Sequence, residues 1–455
     1  MAVLKEPPII NAPHPLYFMK EMSEDALGFL SRAAKTHGDI VCFKLGPFRA
    51  YLLNHPDLIQ EVLAGQPQNF HKEVALKVTR TMLGDGLLTS EGEHHKRQRR
   101  LIQPAFHRQR IASYASIMVE KALAYSGQWK DGMTLDLNEE MMHIALSIVG
   151  KSLFGTDLEQ SAQEIDRALG EALTVFKDWI YRPFPTLWQW LPLPKTLRVR
   201  RARRILDRTV FRLIAEHRKS GVDSGDLLSM MLEAVDTEGG GGGMTDEQVR
   251  DEAATLLLAG HETVGNALTW TFYLLGQNLE AEQKLHEELD SVLSGRPPRY
   301  EDYPNLRYTE KVFSESMRLL PPAWALGYQP IMDVKIGGYD IPKNSIVNMS
   351  QYIMHRDPRY WGDPEKFDPE RFTPEAKASR PRFAYFPFGG GPRQCIGESF
   401  AWMEGVLVLA TLAQRWQARL VPGHRVELFP SITLRPRYGM KMTLEERKTA
   451  PVAVS

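Results

Sequence analysis

A mainly α-helical fold with a small β region is what this chain predicts, and three observations carry the prediction. Apolar residues recur at helical spacing through most of residues 90 to 320. A further long helical stretch, "ESFAWMEGVLVLATLAQRW", begins at Glu398. Strand-like runs are short and fall near residues 40 to 53, within 324 to 390 and close to the C-terminus.

Taken in order, "SEDALGFLSRAAKTHG" opens on Ser23 as a helix cap and closes on Gly38. Residues 1 to 22 before it are expected to be an extended segment. "IVCFKL" and "FRAYLL" follow as two strands around a Gly-Pro turn, with Cys42 as a small buried hydrophobe. The region 324 to 390, rich in proline and aromatics, reads as short strands and coil. The stretch "DTEGGGGGMTDEQ" resembles an interdomain linker, but the expectation is a surface loop between two helices of one domain spanning 1–455. The next helix starts on a capping box of Thr245 and Gln248. No repeat of 20 to 50 residues is present, and residues 446–455 are expected to form a flexible tail.

Composition removes several classes of function. Two cysteines in 455 residues make no disulfide framework and no four-thiolate metal site. Fifty-six basic and 56 acidic residues cancel, so overall charge does not point to nucleic acid or a membrane surface. The N-terminus is broken by prolines and charges, and no apolar run of about 20 residues would cross a bilayer. A soluble, cytoplasmic monomer is the expectation.

The chemistry concentrates in "FPFGGGPRQCIGESF", residues 386 to 400. Glycines 389 to 391 permit unusual backbone and close approach of a flat ligand, and Pro392 stiffens the loop. Cys395 stands just before a helix, whose N-terminus favours a thiolate. One thiolate on a rigid loop suits an axial bond to haem iron. Arg393 would reach a haem propionate, and Phe388 would pack beneath the ring. A glycine turn whose cysteine merely fills a helix start is the competing reading.

Phe388, Gly391, Arg393, Cys395 and Gly397 match F-x-x-G-x-R-x-C-x-G at every defined position, and the chain thereby resembles the cytochrome P450 superfamily. Further stretches agree in order. "ESMR" supplies Glu315 and Arg318, which the family joins to an arginine of "PERF", here Arg371, in a buried ion network. In "TLLLAGHETVGNALTW", Gly265 stands where a zincin needs its second histidine, so that motif fails. Thr263 could simply bond back to the carbonyl of Ala259. The resemblance instead places Ala259, Gly260, Glu262 and Thr263 across the distal face of the haem, with Glu262 and Thr263 delivering protons for dioxygen cleavage. His95 and Arg99 look like the family's H-x-x-x-R propionate position. One departure is that Tyr328 and Gln329 stand where many relatives carry a propionate-binding arginine.

The resemblance, running from about residue 30 to 445, implies the P450 fold, with haem b (iron protoporphyrin IX) between the central helix and the Cys395 loop. It implies a monooxygenase that hydroxylates a C–H bond or oxidises a double bond. No flavin domain fits in the chain, so electrons would come from a ferredoxin or flavodoxin with its reductase, docking at Lys96, Arg97 and Arg100. A peroxide-driven peroxygenase is the nearest rival; a non-catalytic haem sensor or a haem-free ligand carrier is the distant one. Pocket segments 74–90, 172–190, 254–263, 323–328 and 431–434 contribute Leu76, Phe176, Ala254, Leu258, Ala323, Ala325, Leu326 and Ile432. That lining suits an apolar substrate such as a fatty acid, terpenoid or steroid. The aromatics of "FKDWIYRPFPTLWQWLPLP" are expected to pack in the core.

Overall fold

The computed structural model describes all residues except 1–5, 15, 46, 47, 158, 183, 221–224, 237–241 and 448–455. Side chains 74, 75, 159–163 and 220 are also outside the description. The expected Gly-Pro turn at 46–47 and most of the C-terminal tail therefore fall outside the described residues.

The first helix runs Tyr17–His37, starting six residues before Ser23. Ser23 does not cap it, and the expected extended segment ends at Leu16. Burial explains the early start: Phe18, Met19 and Met22 are buried, and the Phe18 ring packs 5.5 Å from that of Phe43. Asp25, at φ −145 and ψ 63, kinks the helix where Ser23 was expected to begin it. Upstream, Ile10 N–H donates to Cys42 O and Cys42 N–H to Pro8 O, both at 2.8 Å.

Five strands form the main sheet in the order Ile40–Leu45, Phe48–Leu53, Ile346–Met349, Leu326–Pro330, Phe70–Lys72. Phe48–Leu53 and Ile346–Met349 pair parallel, Ala50 opposite Ile346, and the other pairs are antiparallel. Cys42, Tyr51, Val347, Met349 and Tyr328 build a small apolar core on this sheet. Cys42 is thus the buried hydrophobe expected.

The main core surrounds a 30-residue helix, Asp246–Leu275, which the Thr245–Gln248 capping box opens in both directions at 3.2 and 3.0 Å. Helices Leu137–Phe154, Pro194–Ser220, Arg307–Leu319 and Glu398–Ala413 pack against it. Two glycines let Leu137–Phe154 come close. A Cβ on Gly260 would lie 2.8 Å from Val149 Cγ2, and one on Gly265 would lie 2.7 Å from Met142 Sδ. The room that Gly260 leaves therefore serves helix packing.

Glu315 and Arg318 are fully buried and joined by two 2.7 Å hydrogen bonds. Arg318 also donates to the carbonyls of His355, Pro364 and Lys366, at 2.9, 2.7 and 3.1 Å. Arg371 joins more loosely, 3.5 Å from Glu315, so the three-member network rests mainly on two members.

Two expectations need correction. Phe176 and Trp179 do pack in the core, but Phe184, Leu187 and Trp190 are exposed, because the chain past Ile180 leaves the helix and runs over the surface. Glu446, assigned to the tail, ends the strand Lys441–Glu446 and pairs with Trp416. Among the described residues no helix is long and apolar enough to cross a membrane.

Candidate active site

The loop before Glu398–Ala413 is fixed by its backbone. Cys395 N–H donates to Phe388 O and Gln394 N–H to Gly391 O, both at 3.0 Å. Gly389 and Gly391 adopt φ +71 and +65, which other residues resist, whereas Gly390 is extended. Gly391 leaves no room for any side chain, because a Cβ would overlap the Leu63 carbonyl; Gly390 lies against the Phe383 ring. The glycines thus turn the loop, and Gly390 and Gly391 dock it on protein. Phe388 is partly buried, its ring 5.7 Å from that of Trp402.

Cys395 presents an open surface although it lies deep in the fold, so it lines an internal cavity. Burial pushes its thiol up to about 11; Glu398 adds to this, while the Gly397 N–H and Arg99 oppose it. The expected thiolate bias from the helix is outweighed, since the helix begins three residues later and desolvation dominates. A bound metal would displace that proton, as thiolate ligation generally does.

The central helix opens in one window. Between Glu252 and Phe272 every residue is buried except Ala259, Gly260 and Thr263. Thr263 Oγ1 donates to Ala259 O at 2.6 Å, the back-bond open from sequence, while keeping its place in the window. Glu262 lies on another side of the helix and is buried. Its Oε1 accepts from Thr433 Oγ1 at 2.7 Å, Arg435 Nε at 3.1 Å and Asn266 Nδ2 at 3.2 Å. Its Oε2 has no hydrogen bond among the described residues, so a lone pair stays available.

Four basic side chains gather beside the Cys395 loop. Arg99 donates to Gln394 O at 2.8 Å, and Arg393 to Ser90 O at 3.3 Å and to the Glu91 carboxylate. His95 is buried, and burial, then the charges of Lys72 and Arg99, holds it down to about 4. Lys72 donates to the carbonyls of Leu87 and Leu88. Burial, aided by Arg393, brings Lys72 down to about 7, and Arg393 falls to about 10 from burial alone. Lys72, Arg99 and Arg393 are crowded and poorly solvated, an environment that attracts anions, and the neutral His95 beside them can still donate a hydrogen bond.

A family model described as "Cytochrome P450" matches residues 10–443. This chain belongs to the cytochrome P450 family. It is 40% identical over 417 residues to "Cyclooctatin synthase" of Streptomyces melanosporofaciens, covering 91% of this chain and 90% of the relative. It is 39% identical over 390 residues to "Cyclooctat-9-en-7-ol 5-monooxygenase" of the same organism, covering 85% and 84%. With "Pentalenene oxygenase" of Streptomyces avermitilis it shares 34% identity over 409 residues, covering 90% and 88%. It is a haem-thiolate monooxygenase that binds small substrates and draws electrons from redox partners.

The P450 cofactor fits the residues present. A lone thiol lines a deep cavity, a helix window is edged by small residues, and the basic cluster suits the two haem carboxylates. Lys72 is the member that sequence reasoning missed. It lies 23 residues before His95, and its N–H donates at 2.7 Å to the Glu91 carboxylate that also holds Arg393, a contact no local motif announces. Tyr328 turns into the small apolar core, and Gln329 bonds Asn344 O at 3.4 Å.

Two further expectations change. Arg97 and Arg100 converge on Asp236, whose side chain is 1% exposed, at 3.2 and 2.6 Å. Arg97 also donates to Gly242 O and Gly243 O at 3.1 Å, so these arginines anchor the glycine loop. Of the pocket residues, Leu76, Ala323, Ala325, Leu326 and Ile432 are partly open, whereas Phe176, Ala254 and Leu258 are packed into the core.

Proposed function

We propose that this P450 oxidises a terpenoid at a C–H bond or double bond, using haem b held by Cys395. The observation that carries it is Cys395 itself: open to a deep cavity, on a loop that two backbone hydrogen bonds hold rigid. Relatives named for oxidising cyclooctat-9-en-7-ol and pentalenene support a cyclic terpenoid, and the partly open apolar lining agrees with it.

Bound haem supplies oxygen activation and the oxidising power. Cys395 would hold it through its thiolate sulfur. Lys72, His95, Arg99 and Arg393 would hold its carboxylates. Thr263 Oγ1 holds a proton at the window, and Glu262 replenishes it through Oε2 while Oε1 stays fixed by Thr433, Arg435 and Asn266. This acid–alcohol pair favours dioxygen over peroxide as oxidant. An open groove lined by Lys96, Arg99 and His107 beside Pro392 offers a basic seat for an acidic ferredoxin or flavodoxin.

The decisive test is the carbon monoxide spectrum of the reduced protein. Cys395→Ser should abolish the thiolate signature and Cys42→Ser should leave it intact. A thiolate spectrum surviving in Cys395→Ser would end this reading.

A further inference from the structure

Three pocket-forming segments bring two polar groups without partners to one place. Glu73 follows the strand Phe70–Lys72 and occupies the N-cap position of the helix Val74–Leu83, yet its side chain makes no cap hydrogen bond. Its N–H donates to Gly327 O at 3.2 Å, and its carboxyl lies so close to Gly327 that a Cβ there would overlap it. Among the described residues that carboxyl has no hydrogen-bond or ion-pair partner. Tyr181 lies within electrostatic reach, and its hydroxyl likewise has no partner among the described residues.

Both side chains carry the same signature as Cys395: partly open surface, deep in the fold. They therefore line internal space, next to the partly open apolar residues Leu76, Ala325 and Leu326. Lys72 belongs to the cationic cluster, and along an extended chain its neighbour Glu73 points the opposite way. Among the described residues no cation lies within electrostatic reach of Glu73, and burial alone pushes it up to about 7. A carboxyl there would repel the haem carboxylates, so they are not its partner. Leaving it deep in protein with no partner is costly, and an apolar substrate would preserve that cost.

We propose that Glu73, assisted by Tyr181, is a specificity-determining contact for a hydroxyl on the substrate, so that the enzyme takes a terpenoid alcohol in preference to a bare hydrocarbon. The inference rests on the terpenoid reading above. It implies that the reaction supplying the substrate has already placed an oxygen on the skeleton. The substrate hydroxyl donates to the Glu73 carboxylate, or accepts from its protonated form, and Tyr181 completes the contact. Sites built to hydrogen-bond a hydroxyl discriminate strongly against analogues that lack it.

The test uses the haem-loaded protein and two matched pairs, cedrol with cedrane and abietadienol with abietadiene. Affinity is read by equilibrium dialysis and by the haem absorption shift. Wild type should bind at least one alcohol about tenfold more tightly than its hydrocarbon, a gap that corresponds to one good hydrogen bond. Glu73→Leu should shrink that gap to about threefold or less while the hydrocarbon gains affinity. Glu73→Gln, still able to accept and donate, should keep most of it, and Tyr181→Phe should lose part. The proposal is overturned by equal affinities within both pairs, by a gap surviving in Glu73→Leu, or by failure of both alcohols to bind. If Glu73→Leu does not retain haem, Glu73→Gln and Tyr181→Phe decide, and an unchanged gap in Tyr181→Phe overturns it. Failure of the family reading looks different: wild type itself would lack the thiolate carbon monoxide spectrum.

Discussion

Replacing Gly391 by alanine tests whether the cysteine loop is held by its contact with Leu63. Two penalties add at this position. At φ +65 a residue with a Cβ costs about 1–2 kcal/mol. The new methyl would also overlap the Leu63 carbonyl, and forcing atoms into a filled space costs about 1–3 kcal/mol more. Gly423 supplies the control: its φ is +81, but nothing lies within 4 Å of a Cβ built there. Gly423→Ala should therefore lose only the first penalty, about 1–2 kcal/mol, and Gly391→Ala about 2–5 kcal/mol. Guanidinium unfolding followed by far-ultraviolet circular dichroism gives both values, and the haem-to-protein ratio reports on Cys395. Gly391→Ala should lose haem and Gly423→Ala should not. If the two variants fall within about 0.5 kcal/mol of each other and retain equal haem, the loop is not held by Leu63 and the reasoning fails.

Thr263→Ala should keep its haem, since the lost back-bond is worth only about 1 kcal/mol, but product per electron should fall about tenfold or more; equal coupling would remove Thr263 from proton delivery. Reversing Arg97 and Arg100 to glutamate should cost about 3 kcal/mol or more, because Asp236 would be left buried among like charges. Donor-driven and peroxide-driven turnover should then fall together, whereas Lys96→Glu, at an exposed site, should slow only reduction by the donor, most at low salt. A double reversal that spares peroxide turnover would restore Arg97 and Arg100 to a docking role. His286 is buried, and burial, then the charge of Arg447, lowers it from 6.5 to about 4. The unfolded chain takes a proton near 6.5 that the folded chain refuses, so stability is lost as pH falls from 6.5 toward 4, by about 3 kcal/mol. His286→Gln should remove that part of the acid sensitivity, and identical pH profiles would refute it.

The mainly helical class and the cysteine loop were legible because their signals are local. A five-position motif, a capping box and an E-x-x-R pair each lie within a few residues, and the last two have the geometry expected at Thr245 and Arg318. What stayed hidden depended on contacts between distant segments. Lys72 joins the basic cluster through its bond to Glu91, and Arg97 is diverted from the surface by Asp236, which lies 139 residues further along the chain. Gly260 and Gly391 were correctly marked as making room, yet the occupants proved to be Val149 and the Leu63 carbonyl. Ser23 misled because propensity favours a cap there, whereas burial of Phe18 and Met22 extends the helix past it. A glycine shows that something is near without showing what.

The bonds from Thr433 and Arg435 to Glu262 run from a hairpin, Leu428–Pro430 paired with Leu434–Pro436, whose turn carries the pocket residue Ile432. On the roles proposed for Ile432 and Glu262, the part that meets the substrate is bolted to the part that supplies protons. A guest that pushes the turn outward pulls on the acid, so misfit is felt as mistimed chemistry as well as weak binding. Remodelling residues 431 to 435 to admit a new skeleton would alter how many electrons are wasted per turnover, even where the new guest binds tightly.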